Sequence, residues 1–130
     1  MKSNFFNHPV ANIYSKPSSN SEVSSQILYG EKFKILSKNK NWLKIKISFD
    51  NYVGYLKDSQ YIEKHNPNYK VSNLKAKIFK KPGNGTKIWL PLGSKLSVIE
   101  ENKNYIKIEK NKWIKKSDIK KFRLLLIPIS

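Results

Sequence analysis

Apolar residues in this chain recur at every second position rather than every third or fourth, which is the period of half-buried strands. Phe33/Ile35, Leu43/Ile45/Ile47, Leu96/Val98 and Ile106/Ile108 all follow it. Clusters of turn formers break the runs: Pro17-Ser18-Ser19-Asn20-Ser21, Lys38-Asn39-Lys40-Asn41, Pro82-Gly83-Asn84-Gly85 and Glu101-Asn102-Lys103-Asn104. No stretch has the spacing of a long amphipathic helix. The pattern predicts an all-β protein.

The pattern also repeats. Ala11-Asn12-Ile13-Tyr14-Ser15-Lys16-Pro17 matches Ala76-Lys77-Ile78-Phe79-Lys80-Lys81-Pro82. Gly30-Glu31-Lys32-Phe33-Lys34-Ile35 matches Gly93-Ser94-Lys95-Leu96-Ser97-Val98, and Trp42-Leu43-Lys44-Ile45 matches Tyr105-Ile106-Lys107-Ile108. Tyr55-Leu56-Lys57-Asp58-Ser59 matches Trp113-Ile114-Lys115-Lys116-Ser117. The offset between copies only shrinks along the chain, and each deletion falls between matched strands. A length of 130 residues accommodates two small barrels of about 60 residues each. The reading is therefore a first barrel over 1–64, a second over 65–123 with a linker near His65-Asn66-Pro67-Asn68, and an apolar tail over 124–130.

Glycine and aromatic positions sharpen this picture. Gly30 and Gly93 stand where a tight turn opens a strand, a place that often requires positive φ. Gly54 suits a kink or a close backbone approach at a barrel corner. Trp42, Tyr55 and Trp113 are expected to give a small core much of its buried area, with Trp42 a core or seam residue rather than a ligand platform.

Composition excludes several functions. There is no cysteine, so disulfides, thiolate metal sites and cysteine nucleophiles are absent from this chain. No apolar run reaches the roughly 18 residues of a membrane span. The first nine residues lack the apolar core of a secretory signal, so the chain is expected to be cytoplasmic, with entry into the periplasm or envelope by another route left open. The net charge of +17 suits a polyanionic partner such as nucleic acid, an anionic membrane or a wall polymer. Yet 25 of the 26 basic residues are Lys, and Ile and Asn are also abundant, as codon bias in an A+T-rich genome would produce. Phosphate and base recognition favour the bidentate fork of Arg, and Arg123 alone supplies one. Charge by itself names no partner.

Each copy resembles the bacterial SH3-like (SH3b) module. The first carries Val10-Ala11-Asn12-Ile13-Tyr14-Ser15-Lys16-Pro17, Leu28-Tyr29-Gly30-Glu31-Lys32-Phe33-Lys34-Ile35-Leu36, Asn41-Trp42-Leu43-Lys44-Ile45 and Asp50-Asn51-Tyr52-Val53-Gly54-Tyr55-Leu56. The second is looser, with Tyr105 where the pattern has Trp and Asn111-Lys112 where it has Gly. The tandem arrangement and Leu28-Tyr29-Gly30-Glu31 are similar to the N-terminal SH3-like pair of NlpC-type cell-wall peptidases, the γ-D-glutamyl-L-diamino acid endopeptidases. That resemblance spans residues 8–122 and implies a fold of two tandem SH3-like barrels and a link to peptidoglycan or murein peptides. In that family a papain-like domain with Cys and His follows the pair; here no Cys exists. The abruptly apolar end, Leu124-Leu125-Leu126-Ile127-Pro128-Ile129-Ser130, reads either as a final strand or docking tail, or as the frame-shifted end of a gene that once continued into the peptidase.

The remaining chemistry offers no catalyst, cofactor site or metal site. His8 and His65 are expected to be exposed loop residues. Glu100 and Glu101 are adjacent, so a strand points them to opposite faces and they cannot act as a carboxylate pair. Asp50, Asp58 and Asp118 stand near turns, where side-chain caps are their ordinary role. Gly83-Asn84-Gly85 is too short to cradle a phosphate, and no metal-ligand spacing occurs. The resemblance instead implies a non-catalytic module that targets or gates a peptidase, with the first barrel walling its cleft. On matching positions it assigns the peptide's free amine to Glu31, with Tyr29 beside it and Tyr14 and Tyr52 as further ligand-binding residues. The competing reading is a double barrel that binds nucleic acid or another polyanion. A binder of Pro-rich peptides is disfavoured, because Ser15 to Gln26 holds only Glu22 as an acid.

Overall fold

The alternation in Trp42-Leu43-Lys44-Ile45-Lys46-Ile47 becomes a strand with Leu43, Ile45 and Ile47 buried and the other three half-buried on its outer face. The computed structural model describes residues 3–58 and 61–121. The chain divides into two units between His65 and Asn66. Arg123, Ser59 and the tail 124–130 lie outside the described residues.

The first unit consists of β1 (Asn4–Phe6), β2 (Val10–Tyr14), β3 (Val23–Leu28), β4 (Lys32–Asn39), β5 (Trp42–Ile47), β6 (Val53–Lys57) and β7 (Tyr61–Ile62). They form one antiparallel sheet in the order β3-β2-β6-β5-β4-β1-β7. Phe6, Ile13, Ile27, Phe33, Leu43, Ile45, Ile47 and Leu56 make its core.

The second unit consists of β8 (Tyr69–Val71), β9 (Lys75–Lys81), β10 (Asn84–Pro91), β11 (Lys95–Leu96), β12 (Glu100–Glu101), β13 (Tyr105–Glu109), β14 (Lys112–Lys115), a 3-10 turn (Lys116–Asp118) and β15 (Ile119–Lys121). Its sheets run β10-β9-β14-β13-β12 and β11-β8-β15. This is the order of the first unit with one strand cut in two, because β11 and β12 together occupy the place of β4. The cut falls where β4 already bulges. Register against β5 slips between Ile35 and Ser37, around Leu36, and the matching Ile99 lies between β11 and β12 with 65% exposure. A bulge that bends one copy's strand has become a break in the other. The fold is all-β, two small SH3-like barrels in sequence.

The expected glycine roles hold. Gly30 and Gly93 have φ of 83° and 91°. Gly54 makes a close approach, since a Cβ there would collide with Ile13 Cγ2 and stand 3.2 Å from the Tyr14 carbonyl oxygen. In the second unit Lys112 stands at that position, after a shorter turn in which Asn111 has φ 59°, and its ammonium pairs with Glu109 at 3.1 Å.

Three expectations need correction. Trp42, Tyr55 and Trp113 are half-buried on outer faces and do not fill the cores. Strand alternation gives the inner positions beside them to Leu43, Leu56 and Ile114. Neither histidine is an exposed loop group. His8 packs on Phe6 with ring centroids 5.5 Å apart. β7 pairs with β1 and so carries His65 onto Phe5 (5.0 Å) and Tyr29 (6.2 Å).

Candidate functional site

The turn Leu28-Tyr29-Gly30-Glu31 is built by its sequence. Positive φ at Gly30, the third position, is what a type II turn demands, and the Glu31 amide donates to the Leu28 carbonyl at 3.1 Å. The Glu31 side chain closes the turn a second time: its Oε1 accepts from the Leu28 backbone N–H at 3.0 Å. The turn is fastened to β1, with Phe6 N–H donating to the Glu31 carbonyl (3.0 Å) and Gly30 N–H donating to the Phe6 carbonyl (2.7 Å).

The second unit rebuilds this turn as Pro91-Leu92-Gly93-Ser94. Val71 N–H donates to the Ser94 carbonyl, Gly93 N–H to the Val71 carbonyl, and Ser94 N–H to the Pro91 carbonyl, at 3.0, 3.0 and 3.1 Å. Pro91 has no N–H to offer, so a carboxylate would have nothing to accept there. The side chain is instead a donor: Ser94 Oγ–H bonds the Pro91 carbonyl at 2.8 Å, and Ser94 is fully buried. One copy of the turn presents a half-buried carboxylate and the other does not.

The four expected site residues fall on three elements. Glu31 and Tyr29 share the turn, where Tyr29 is buried with its amide bonded to the Pro9 carbonyl at 3.2 Å. Tyr14 lies on the outer face of β2, edge-on to Trp42 at 5.5 Å. Tyr52 packs against the core near Gly54, and its amide donates to Asp50 Oδ1 at 3.1 Å, the cap expected of that aspartate. Tyr14 also lines a cleft of about 510 Å³ with Phe6, His8, Pro9, Lys57 and Asp58. Asp58 is paired with Lys38 at 3.1 Å. The adjacent glutamates are both held by lysines, Glu100 by Lys107 at 3.8 Å and Glu101 by Lys116 at 3.2 Å.

Sequence reasoning missed an aromatic triad present in both units. Tyr14 stands opposite Tyr55 across β2 and β6, as Phe79 stands opposite Trp113 across β9 and β14. Phe79 meets Tyr105 at 5.2 Å as Tyr14 meets Trp42. The matched segments hold these residues, but size alone suggests the core for Trp42, Tyr55 and Trp113.

Among the described residues no group of three or more His, Asp or Glu could hold a metal ion, and no helix is long and apolar enough to cross a membrane.

Parts of this chain resemble known proteins. Residues 13–60 match the family described as the bacterial dipeptidyl-peptidase SH3 domain. An NlpC/P60 family protein from Bacillus cereus has a similar structure, with a TM-score of 0.76 and 13% identity over 94% of this chain and 57% of that one. NlpC2 from Trichomonas vaginalis aligns at a TM-score of 0.41 and 12% identity, over 92% of this chain and 47% of that one. No curated protein matches the sequence. This chain thus spans little more than half the length of the Bacillus protein whose fold it shares. The likeness to the bacterial dipeptidyl-peptidase SH3 domain thus covers residues 13–60, within the first unit.

Proposed function

We propose that the chain is a non-catalytic SH3-like pair that holds peptidoglycan peptides for an NlpC-type peptidase domain, with the first unit's turn receiving the peptide's free amine. The observation that carries this reading is the fixed carboxylate of Glu31. Leu28 N–H holds Oε1 in place, which orients Oε2 before any ligand arrives, and a carboxylate is the natural partner of an ammonium group. Tyr29, on the same turn, supports it, and Tyr14 with the cleft beside it offers a wall for the rest of the peptide. This role places the pair where wall peptides are released or taken up, in the envelope or, after import, in the cytoplasm.

The test is calorimetric titration of the full chain with a murein tripeptide and with its N-acetylated form. Glu31→Gln keeps an oxygen to accept from Leu28 N–H and removes only the charge. The free-amine peptide should bind the native chain, and both acetylation and Glu31→Gln should abolish that preference. Equal binding of both peptides by the native chain would refute the amine assignment.

A further inference from the structure

The two units differ most in chemistry on the β9–β10 hairpin. In the first unit the matching positions are a polar pair, Asn12 and Gln26, joined side chain to side chain at 3.1 Å. In the second, Lys77 stands opposite Trp89, and the ammonium groups of Lys75 and Lys77 lie 4.5 and 5.3 Å from the Trp89 ring centroid. Lys115 lies over Phe79 at 5.5 Å. Trp89 nevertheless stays 40% exposed.

A local irregularity creates space there. Between Gly85 and Trp89 the register of β10 against β9 slips, and Thr86 fills the gap, its hydroxyl donating to the Ile78 carbonyl at 2.7 Å and accepting from Ile88 N–H at 3.1 Å. Gly85 leaves the floor bare: a Cβ there would come within 3.1 Å of Lys77 Cδ and 3.4 Å of Phe79 Cε2. The result is a cleft of about 410 Å³ lined by Lys77, Phe79, Gly85, Trp89, Lys115 and Asp118.

We propose that this cleft of the second unit binds a carboxylate-bearing glycan. Three lysines converge on two rings, and in a chain of net charge +17 they present a positive, partly apolar wall to an approaching anion. The lysines lie over the rings, so a ligand's anionic group meets ammonium first while the exposed part of Trp89 takes the apolar face of a sugar. Asp118 decides between polyanions. Its carboxylate accepts from Asn73 Nδ2 at 2.6 Å and lines the same cleft. It accepts hydroxyl donors, which a sugar has in abundance and a DNA backbone lacks. This site uses no residue of the first unit's turn and stands whether or not Glu31 binds an amine.

The experiment titrates the full chain with a hyaluronate hexasaccharide, with neutral chitohexaose and with oligo(dT). Hyaluronate should bind saturably and more weakly as salt rises. Lys77→Gln, Lys115→Gln and Trp89→Ala should each weaken it by about tenfold, while Glu31→Gln leaves it unchanged. The two Lys→Gln variants remove charge from the barrel exterior, so they carry the test even if Trp89→Ala loses its fold by circular dichroism. Three results overturn the proposal: no saturable hyaluronate binding or none sensitive to the lysine variants, chitohexaose bound as tightly as hyaluronate, or oligo(dT) bound more tightly through the same residues.

Discussion

Glu31 Oε1 accepts a hydrogen bond from the Leu28 backbone amide at 3.0 Å, across the turn that Gly30 makes at φ 83°. At the same place in the second unit Ser94 donates to Pro91. The acceptor side chain occurs where the backbone has an N–H to give, and the donor side chain where proline leaves only a carbonyl. Leu28 and Pro91 therefore decide what the fourth residue of each turn must be. The carboxylate that could serve a ligand is first of all a part of the fold.

That dual role separates two substitutions. Glu31→Ala loses the bond to Leu28 N–H and should cost about 1 kcal/mol of unfolding free energy. Glu31→Gln retains an acceptor and should melt within a few tenths of a kcal/mol of the native chain. Urea denaturation measures both. Equal destabilisation by the two would show that the charge, not the acceptor, stabilises the turn.

Two glycines should respond differently to alanine. At Gly54 a Cβ would collide with Ile13 Cγ2 in the core, so Gly54→Ala should destabilise by about 1–3 kcal/mol. Replacing Ile13 by alanine as well removes Cγ2 itself, so the double variant should lose less than the sum of the two single substitutions. Gly83 has nothing within 4 Å of its would-be Cβ but a φ of 83°, so Gly83→Ala should cost only the backbone strain, about 1 kcal/mol. Thermal melts of the four variants rank them, and a Gly54→Ala protein as stable as the native chain would show that the close approach does not constrain the fold.

The bulge in β10 rests on one hydroxyl. Thr86→Val keeps the shape and strands the Ile78 carbonyl, which should cost about 1 kcal/mol or more. Ser24 donates to the Ile13 carbonyl in the matching place at 3.2 Å, so Ser24→Ala should have the same sign and a smaller size. Hydrogen exchange should quicken around each bulge. No change at Thr86→Val would mean that water satisfies the carbonyl.

A net charge of +17 works against the compact state, and solvated ion pairs such as Lys38–Asp58 are worth little each. Raising salt from about 10 to 150 mM, which shortens the screening length, should therefore raise the melting temperature. A fall would show that the ion pairs outweigh the repulsion.

Much of this was legible in the residues. Period-two runs such as Leu43/Ile45/Ile47 located strands, because a sheet with one wet face alternates. The paired Ala-x-Ile, Gly-x-Lys and Lys-Ile segments exposed the repeat. β1 and β8 were not seen to match, since Asn4-Phe5-Phe6 and Tyr69-Lys70-Val71 share no residue; only backbone bonds to the Gly30 and Gly93 turns make them equivalent. Trp42 and Trp113 were misplaced because size suggested burial, while position relative to Leu43 and Ile114 put them outside. The Lys77–Trp89 pairing was illegible, since it depends on a register slip that no local pattern announces.

The most direct test of the functional account is amide chemical-shift mapping on the full chain as a free-amine murein tripeptide is added. Shifts should centre on Leu28 to Glu31, extend to Tyr14, and disappear in Glu31→Gln. Shifts confined to Lys77, Trp89 and Lys115, or none at all, would contradict it.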